Sequence, residues 1–202
     1  MNASGYVETL GARLYYQDWG AGEPVLLLHG NAQSHRVFRW YLRQLSPLYR
    51  VLLMDSRGHG LSLHREGRGE FSTADMAGDV AALLDHLKIR RCAIIGFSDG
   101  ANVALEFAAR FPDRARAVVA VSGNARPEGL ILPLRLFARG EYAAARMLER
   151  LPLLGTGLQR FFGERRQLAA LLCRSPQLGE EKLGRIRAPV LLLAGTRDLV
   201  RT

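Results

Sequence analysis

Cys92-Ala93-Ile94-Ile95-Gly96-Phe97-Ser98-Asp99-Gly100-Ala101-Asn102-Val103-Ala104-Leu105 reads as a short apolar run, a serine between two glycines, and a second apolar stretch. The first run suits a strand buried on both faces, and the last suits a helix. Between them, Gly96-Phe97-Ser98-Asp99-Gly100 fits the pattern G-x-S-x-G. A chain passing sharply from strand to helix holds the central serine in a strained conformation, with its hydroxyl exposed. The residues two places to either side must be small, so that strand and helix can approach. Ser98 is therefore the candidate nucleophile, at a helix N-terminus whose dipole favours developing negative charge.

Working outward, the same alternation continues. Tyr6–Leu10 and Arg13–Trp19 predict a hairpin turning at Gly11-Ala12, and Val25–His29, Arg50–Asp55, Arg91–Gly96, Arg116–Ser122 and Pro189–Gly195 predict further strands. Helices are expected at Val37–Leu45, from Ser72 onward, and at Asp99–Arg110. Ser72 and Asp75 have the spacing of a capping box, and Met76, Val80, Leu83, Leu84 and Leu87 recur at helical spacing. Strand–helix alternation implies an α/β fold, a mostly parallel sheet with helices on both faces. Its chemistry is expected at the carboxyl ends of the strands.

Residues 126–187 lack strand patterning and predict two helices, about 134–151 and 157–173, as an inserted lid. The domain reading is thus a core of residues 1–125 and 188–202 with a helical insertion at 126–187. Arg135, Arg139, Arg146 and Arg150 fall on one helical face, either a solvated face or a guide for an anionic or amphipathic substrate.

Two more strand ends carry candidate groups. His29-Gly30-Asn31 makes a sharp exit after the sheet. A tetrahedral oxyanion needs two donors fixed in advance, and the backbone N–H groups of Asn31 and Asp99 could supply them. His29 is read as holding that loop rather than as a base. Ala194-Gly195-Thr196-Arg197-Asp198 puts a carboxylate just beyond a strand, where a triad acid would stand.

Composition narrows the classes. At 202 residues and 48% hydrophobic, the chain can build one core and is not a disordered protein. Its apolar runs are far shorter than the roughly 20 residues a bilayer span needs. The N-terminus shows no basic region followed by an apolar stretch, so no signal peptide is expected. Cys92 and Cys173 form no CxxC pair and read as reduced thiols of a cytoplasmic protein. The net charge is +9, with arginine supplying 26 of 28 basic residues, but these are scattered and no nucleic-acid motif accompanies them. A small-molecule substrate is expected rather than a specific nucleic acid.

His-Gly-Asn at 29–31, Asp-Ser-Arg-Gly-His-Gly at 55–60 and Gly-Phe-Ser-Asp-Gly at 96–100, followed by Gly195–Asp198, resemble the bacterial serine-nucleophile members of the α/β-hydrolase superfamily. The resemblance runs from about Tyr6 to the last residue. It implies Ser98 as nucleophile, Asp198 as acid, and Asn31 and Asp99 as oxyanion donors. His29, Gly30, Gly96 and Gly100 are then structural members of the motifs, and loop 55–62 is a turn beside the site. No cofactor and no metal are expected. The substrate expected is a small ester, thioester, lactone or related C–C bond, attacked through an acyl-enzyme.

The family's order is serine, acid, histidine, yet all five histidines, His29, His35, His59, His64 and His86, precede Ser98. The reading is of a chain truncated before its catalytic histidine, with the last helix–strand–helix missing and the final strand left as an exposed edge. Such a chain is expected to be weak or inactive. A catalytically dead binding protein, or use of His35 or His59 as base, are the other readings.

Overall fold

The computed structural model describes residues 1–65 and 69–200; residues 66–68 and 201–202, which fall in the expected core segments, lie outside them. Strands β1 (Ala3–Thr9) and β2 (Ala12–Trp19) form the antiparallel hairpin. Its turn is Leu10-Gly11, with Gly11 at φ 89°, so the turn sits one residue earlier than expected. Ala12 pairs with Thr9 and begins the strand, because the left-handed conformation falls on the glycine.

Next come β3 (Pro24–Leu28), α1 (Arg39–Leu45), β4 (Arg50–Met54) and the two-residue β5 (Leu63–His64). Helix α2 (Thr73–His86), β6 (Cys92–Phe97), α3 (Asp99–Arg110) and β7 (Ala115–Val121) follow. After β7 the described chain carries α4 (Leu132–Leu148), α5 (Gly155–Arg174) and α6 (Glu180–Leu183) before β8 (Val190–Leu193). The sheet order is β1-β2-β4-β3-β6-β7-β8, with β5 beside β2. β4, β3, β6, β7 and β8 run parallel, and only the N-terminal hairpin and β5 are antiparallel.

The expected first helix divides. His35–Phe38 is a 3₁₀ turn and only Arg39–Leu45 is α-helical. Asp55 explains the break: its carboxylate accepts from the His35 backbone N–H at 2.6 Å and stands 2.9 Å from the ring Nδ1, pinning the first turn. The two long helices between β7 and β8 begin two residues early, at Leu132 and Gly155. β5 and α6 had no sequence expectation, each being too short for periodicity to register.

The capping box at Ser72 is formed, with Asp75 N–H donating to Ser72 Oγ and Ser72 N–H to Asp75 Oδ2 at 2.8 Å. Strand residues alternate between two layers. Leu26, Leu28, Leu52 and Met54 bury against Met76, Val80 and Phe107 of α2 and α3. Val25, Leu27, Val51 and Leu53 bury against Phe38 and Leu42 of the first helical segment. β8 differs: all four of its apolar residues are exposed. Each forgoes the roughly 1.5–3 kcal/mol that full burial of such a side chain contributes.

Candidate active site

Ser98 follows β6 directly and has φ 53°, ψ −120°, a left-handed conformation rare for a residue with a side chain. Its N–H donates to Val121 O at 2.8 Å, and its own carbonyl accepts from Ala101 and Asn102 at 2.8 and 3.1 Å. The flanking glycines are enforced by contact. A Cβ on Gly96 would stand 2.2 Å from Gly100 O, and one on Gly100 would stand 2.1 Å from Leu28 O. Strand β3, strand β6 and helix α3 therefore meet at backbone distance. Gly30 belongs to the same knot, since a Cβ there would meet Ser98 Cβ at 3.0 Å.

The exit of β3 is held in two ways. Gly30 N–H donates to Gln33 Oε1 at 3.0 Å. His29, fully buried, places Nδ1 2.8 Å from Gly30 O, and Nε2 accepts from Ser56 N–H at 3.1 Å. That pairing requires the neutral ring with its proton on Nδ1. Burial, chiefly, and the neighbouring His59 push the His29 pKa down to about 4.

Beside Ser98, the Asn31 side chain donates to Asp99 Oδ2 at 2.9 Å and to the Leu168 carbonyl of α5 at 3.1 Å. Asp99 is buried, and burial raises its pKa to about 6 despite the donors Asn31 and Asn102. Asn102 stands one turn along α3 from Asp99 and donates to Asn124 Oδ1 at 3.0 Å, while Asn124 N–H donates back to Asn102 Oδ1 at 2.8 Å. Among the described residues, the backbone N–H groups of Asn31 and Asp99 donate to no protein acceptor. The structure thus brings Ser98, Gly30, Asn31 and Asp99 together at the ends of β3 and β6.

Asp198 lies beyond β8, and its hydrogen bond to Ser122 joins it to the end of β7. Ser122, at φ 56°, donates its hydroxyl to Asp198 Oδ2 at 2.5 Å, and its N–H to Leu193 O at 2.8 Å. Leu199 N–H donates to Asp198 Oδ1 at 2.6 Å. The Ser122 hydroxyl, foremost, holds the Asp198 carboxyl below its ordinary range. Sequence reasoning missed Ser122, Asn102 and Asn124. Only Asn102 had a signal, its i+3 spacing from Asp99 on a helix.

Each histidine ring has a partner other than Ser98. His35 lies against Asp55, His59 Nδ1 against Arg57 O at 2.9 Å, His64 against Gly69 O, and His86 against Tyr16. Arg57 in turn forms a buried two-pronged pair with Asp79 at 2.6 and 2.7 Å, which rivets loop 56–62 to α2. His35 and His59 are thus built into the turn around Asp55.

The family model described as "alpha/beta hydrolase fold" matches residues 23–145, which span β3, the elbow and most of α4. The chain belongs to the α/β-hydrolase fold family. It is 30% identical over 156 residues to a cis-3-alkyl-4-alkyloxetan-2-one decarboxylase of Shewanella oneidensis, covering 75% of this chain and 46% of that protein. It is 37% identical over 105 residues to a serine hydrolase-like protein of Danio rerio, covering 51% and 32%. Among solved structures, the enol-lactonase from Burkholderia xenovorans LB400 superposes with a TM-score of 0.74 at 26% identity, covering 98% of this chain and 84% of that one. The chain spans half the length or less of the curated relatives it matches.

Proposed function

We propose that this α/β-hydrolase family member is a hydrolase that cleaves a small ester, thioester or lactone through an acyl-enzyme on Ser98. The observation that carries the reading is the Ser98 backbone at φ 53°, ψ −120°, held between two glycines at which a Cβ would meet backbone oxygens at 2.2 and 2.1 Å. Strain of this kind persists only where surrounding contacts over-determine it, and it projects the hydroxyl from the elbow. Ser98 Oγ attacks the carbonyl carbon, and the oxygen that gains charge takes the free N–H groups of Asn31 and Asp99, aided by the N-terminus of α3.

Asp198 is the acid of this scheme: the Ser122 hydroxyl favours its ionised form, and its part is to orient a histidine. A serine hydroxyl needs a positioned base, and the five histidines of the chain are engaged elsewhere. The proton acceptor of the scheme is a histidine oriented by Asp198; with the five rings held by other partners, residues 1–202 are expected to turn over weakly. The two lactone-related names among the similar proteins support a strained or activated ester carbonyl as substrate. Residues 126–187 act as the lid over the site, with the Asn31–Leu168 hydrogen bond tying α5 to the oxyanion loop.

A fluorophosphonate probe tests the scheme. The competent enzyme is expected to label at Ser98, with labelling abolished in Ser98→Ala. A folded protein that never labels at Ser98 would sink the enzyme reading in favour of a binding protein. Rapid labelling of residues 1–202 that disappears in His35→Ala or His59→Ala would instead make one of those rings the base.

A further inference from the structure

Helix α4 buries Ala138 and Ala145 and turns its acids, Glu141 and Glu149, toward α5, where they pair with Arg165 and Arg166. Its opposite side is apolar and open. Leu132, Leu136 and Met147 lie along one line of the helix with Gly140 and Ala143 between them, and Leu136 and Met147 are 57% and 62% exposed. Phe137 beside them is 63% exposed, and Leu153, in the turn that leads to α5, is 96% exposed. Arg135, Arg139, Arg146 and Arg150 flank this line, and among the described residues none of the four is in an ion pair. The acids are thus drawn toward α5, and the four arginines border the exposed apolar line on one side. An apolar stripe bordered by unpaired arginines is the pattern of a helix that lies in a lipid–water interface. Among the described residues no helix is long and apolar enough to cross a membrane, so lying flat is the mode open to α4.

We propose that α4 and the turn after it dock on an anionic phospholipid bilayer. Leu136, Phe137, Met147 and Leu153 enter the headgroup–acyl boundary, and Arg146 and Arg150 meet lipid phosphates. Charge complementarity selects this occupant: the face is wholly cationic on a chain of net charge +9. Each arginine near an anionic surface contributes about a five-fold gain in binding. The inference does not depend on the chemistry proposed for Ser98.

Flotation of the full chain with vesicles tests it, using phosphatidylcholine containing about 30% phosphatidylglycerol and phosphatidylcholine alone. The protein is expected to float with the anionic vesicles only, and to release at high salt. Arg146→Gln with Arg150→Gln should weaken binding about 25-fold. Leu136→Ser with Phe137→Ser should remove it with the circular dichroism spectrum unchanged, both side chains being exposed. Trp40→Ser on the exposed aromatic surface of α1 should leave it intact. The proposal is overturned by no flotation with either vesicle, by flotation that the α4 variants leave unchanged, or by its loss in Trp40→Ser. Self-association that Leu136→Ser abolishes, without flotation, overturns it too and assigns the face to a second copy.

Discussion

The ends of β6 and β8 hold the two side chains of the proposed chemistry, and they are built in opposite ways. Ser98 sits where three elements touch at backbone distance, with Gly96, Gly100 and Gly30 leaving no room for a methyl group. Asp198 follows a strand whose four residues are all exposed, and Gly195 before it has nothing within 4 Å of a built Cβ. Position is fixed at the elbow by packing. At β8 it is fixed by a few hydrogen bonds, those of Ser122, Gly195 and Leu199 to one carboxylate. A nucleophile held in a strained conformation needs the first kind of support, whereas a carboxylate in an unstrained turn can stand on the second.

The contrast can be broken most directly with a methyl group. Gly100→Ala forces backbone oxygens of Leu28 and His29 aside, from 2.1 and 2.7 Å, and is expected to cost more than about 4 kcal/mol in urea denaturation. Gly195→Ala should change stability by no more than about 0.5 kcal/mol. Equal losses would mean that β8 is as tightly enclosed as the elbow.

The next effect is a pH dependence at the elbow. Asp99 has its pKa raised to about 6 by burial, above its unfolded value near 4. The folded state then binds more protons between those values, so the stability Asp99 contributes is present below about pH 4 and lost as pH rises through about 6. His29, lowered to about 4, behaves oppositely, its contribution being present above about pH 6.5 and lost as pH falls toward 4. The stability of the wild type relative to Asp99→Asn should therefore fall by up to about 3 kcal/mol between about pH 4 and pH 7. A flat difference would place Asp99 in contact with water.

Smaller effects sharpen the same comparison. Ser98→Gly relieves the left-handed backbone and should raise stability by about 1 kcal/mol while removing probe labelling. A loss of stability instead would show that the conformation carries no strain. Leu192→Lys, on the exposed edge strand, should shift stability by no more than about 0.5 kcal/mol and raise solubility. A large loss would show that β8 is covered in solution.

Legibility followed the same division. The elbow could be read because its constraint is local: a glycine two residues to either side of a serine, between an apolar strand and an apolar helix. His29-Gly30-Asn31 was legible as a sharp exit. The contact of Gly30 with Ser98, 68 positions on, and the reach of the Asn31 amide to α5 were not. The chain Asn31–Asp99–Asn102–Asn124 joins three segments whose alignment depends on how α3 seats against β3, β6 and β7. The splitting of the first helix was hidden for a similar reason, since Asp55 pins His35 across 20 positions.

The amino-acid sequence by itself determined the alternation of strands and helices, the family, and which serine stands at the elbow, because periodicity and glycine spacing are short-range properties of the chain. Tertiary structure alone decided which charges are felt and which histidines are engaged. Burial lifts Asp99, lowers His29, and encloses His35 and His59 around Asp55. Desolvation and hydrogen bonding depend on what surrounds a group in space, and neighbours along the chain do not specify that.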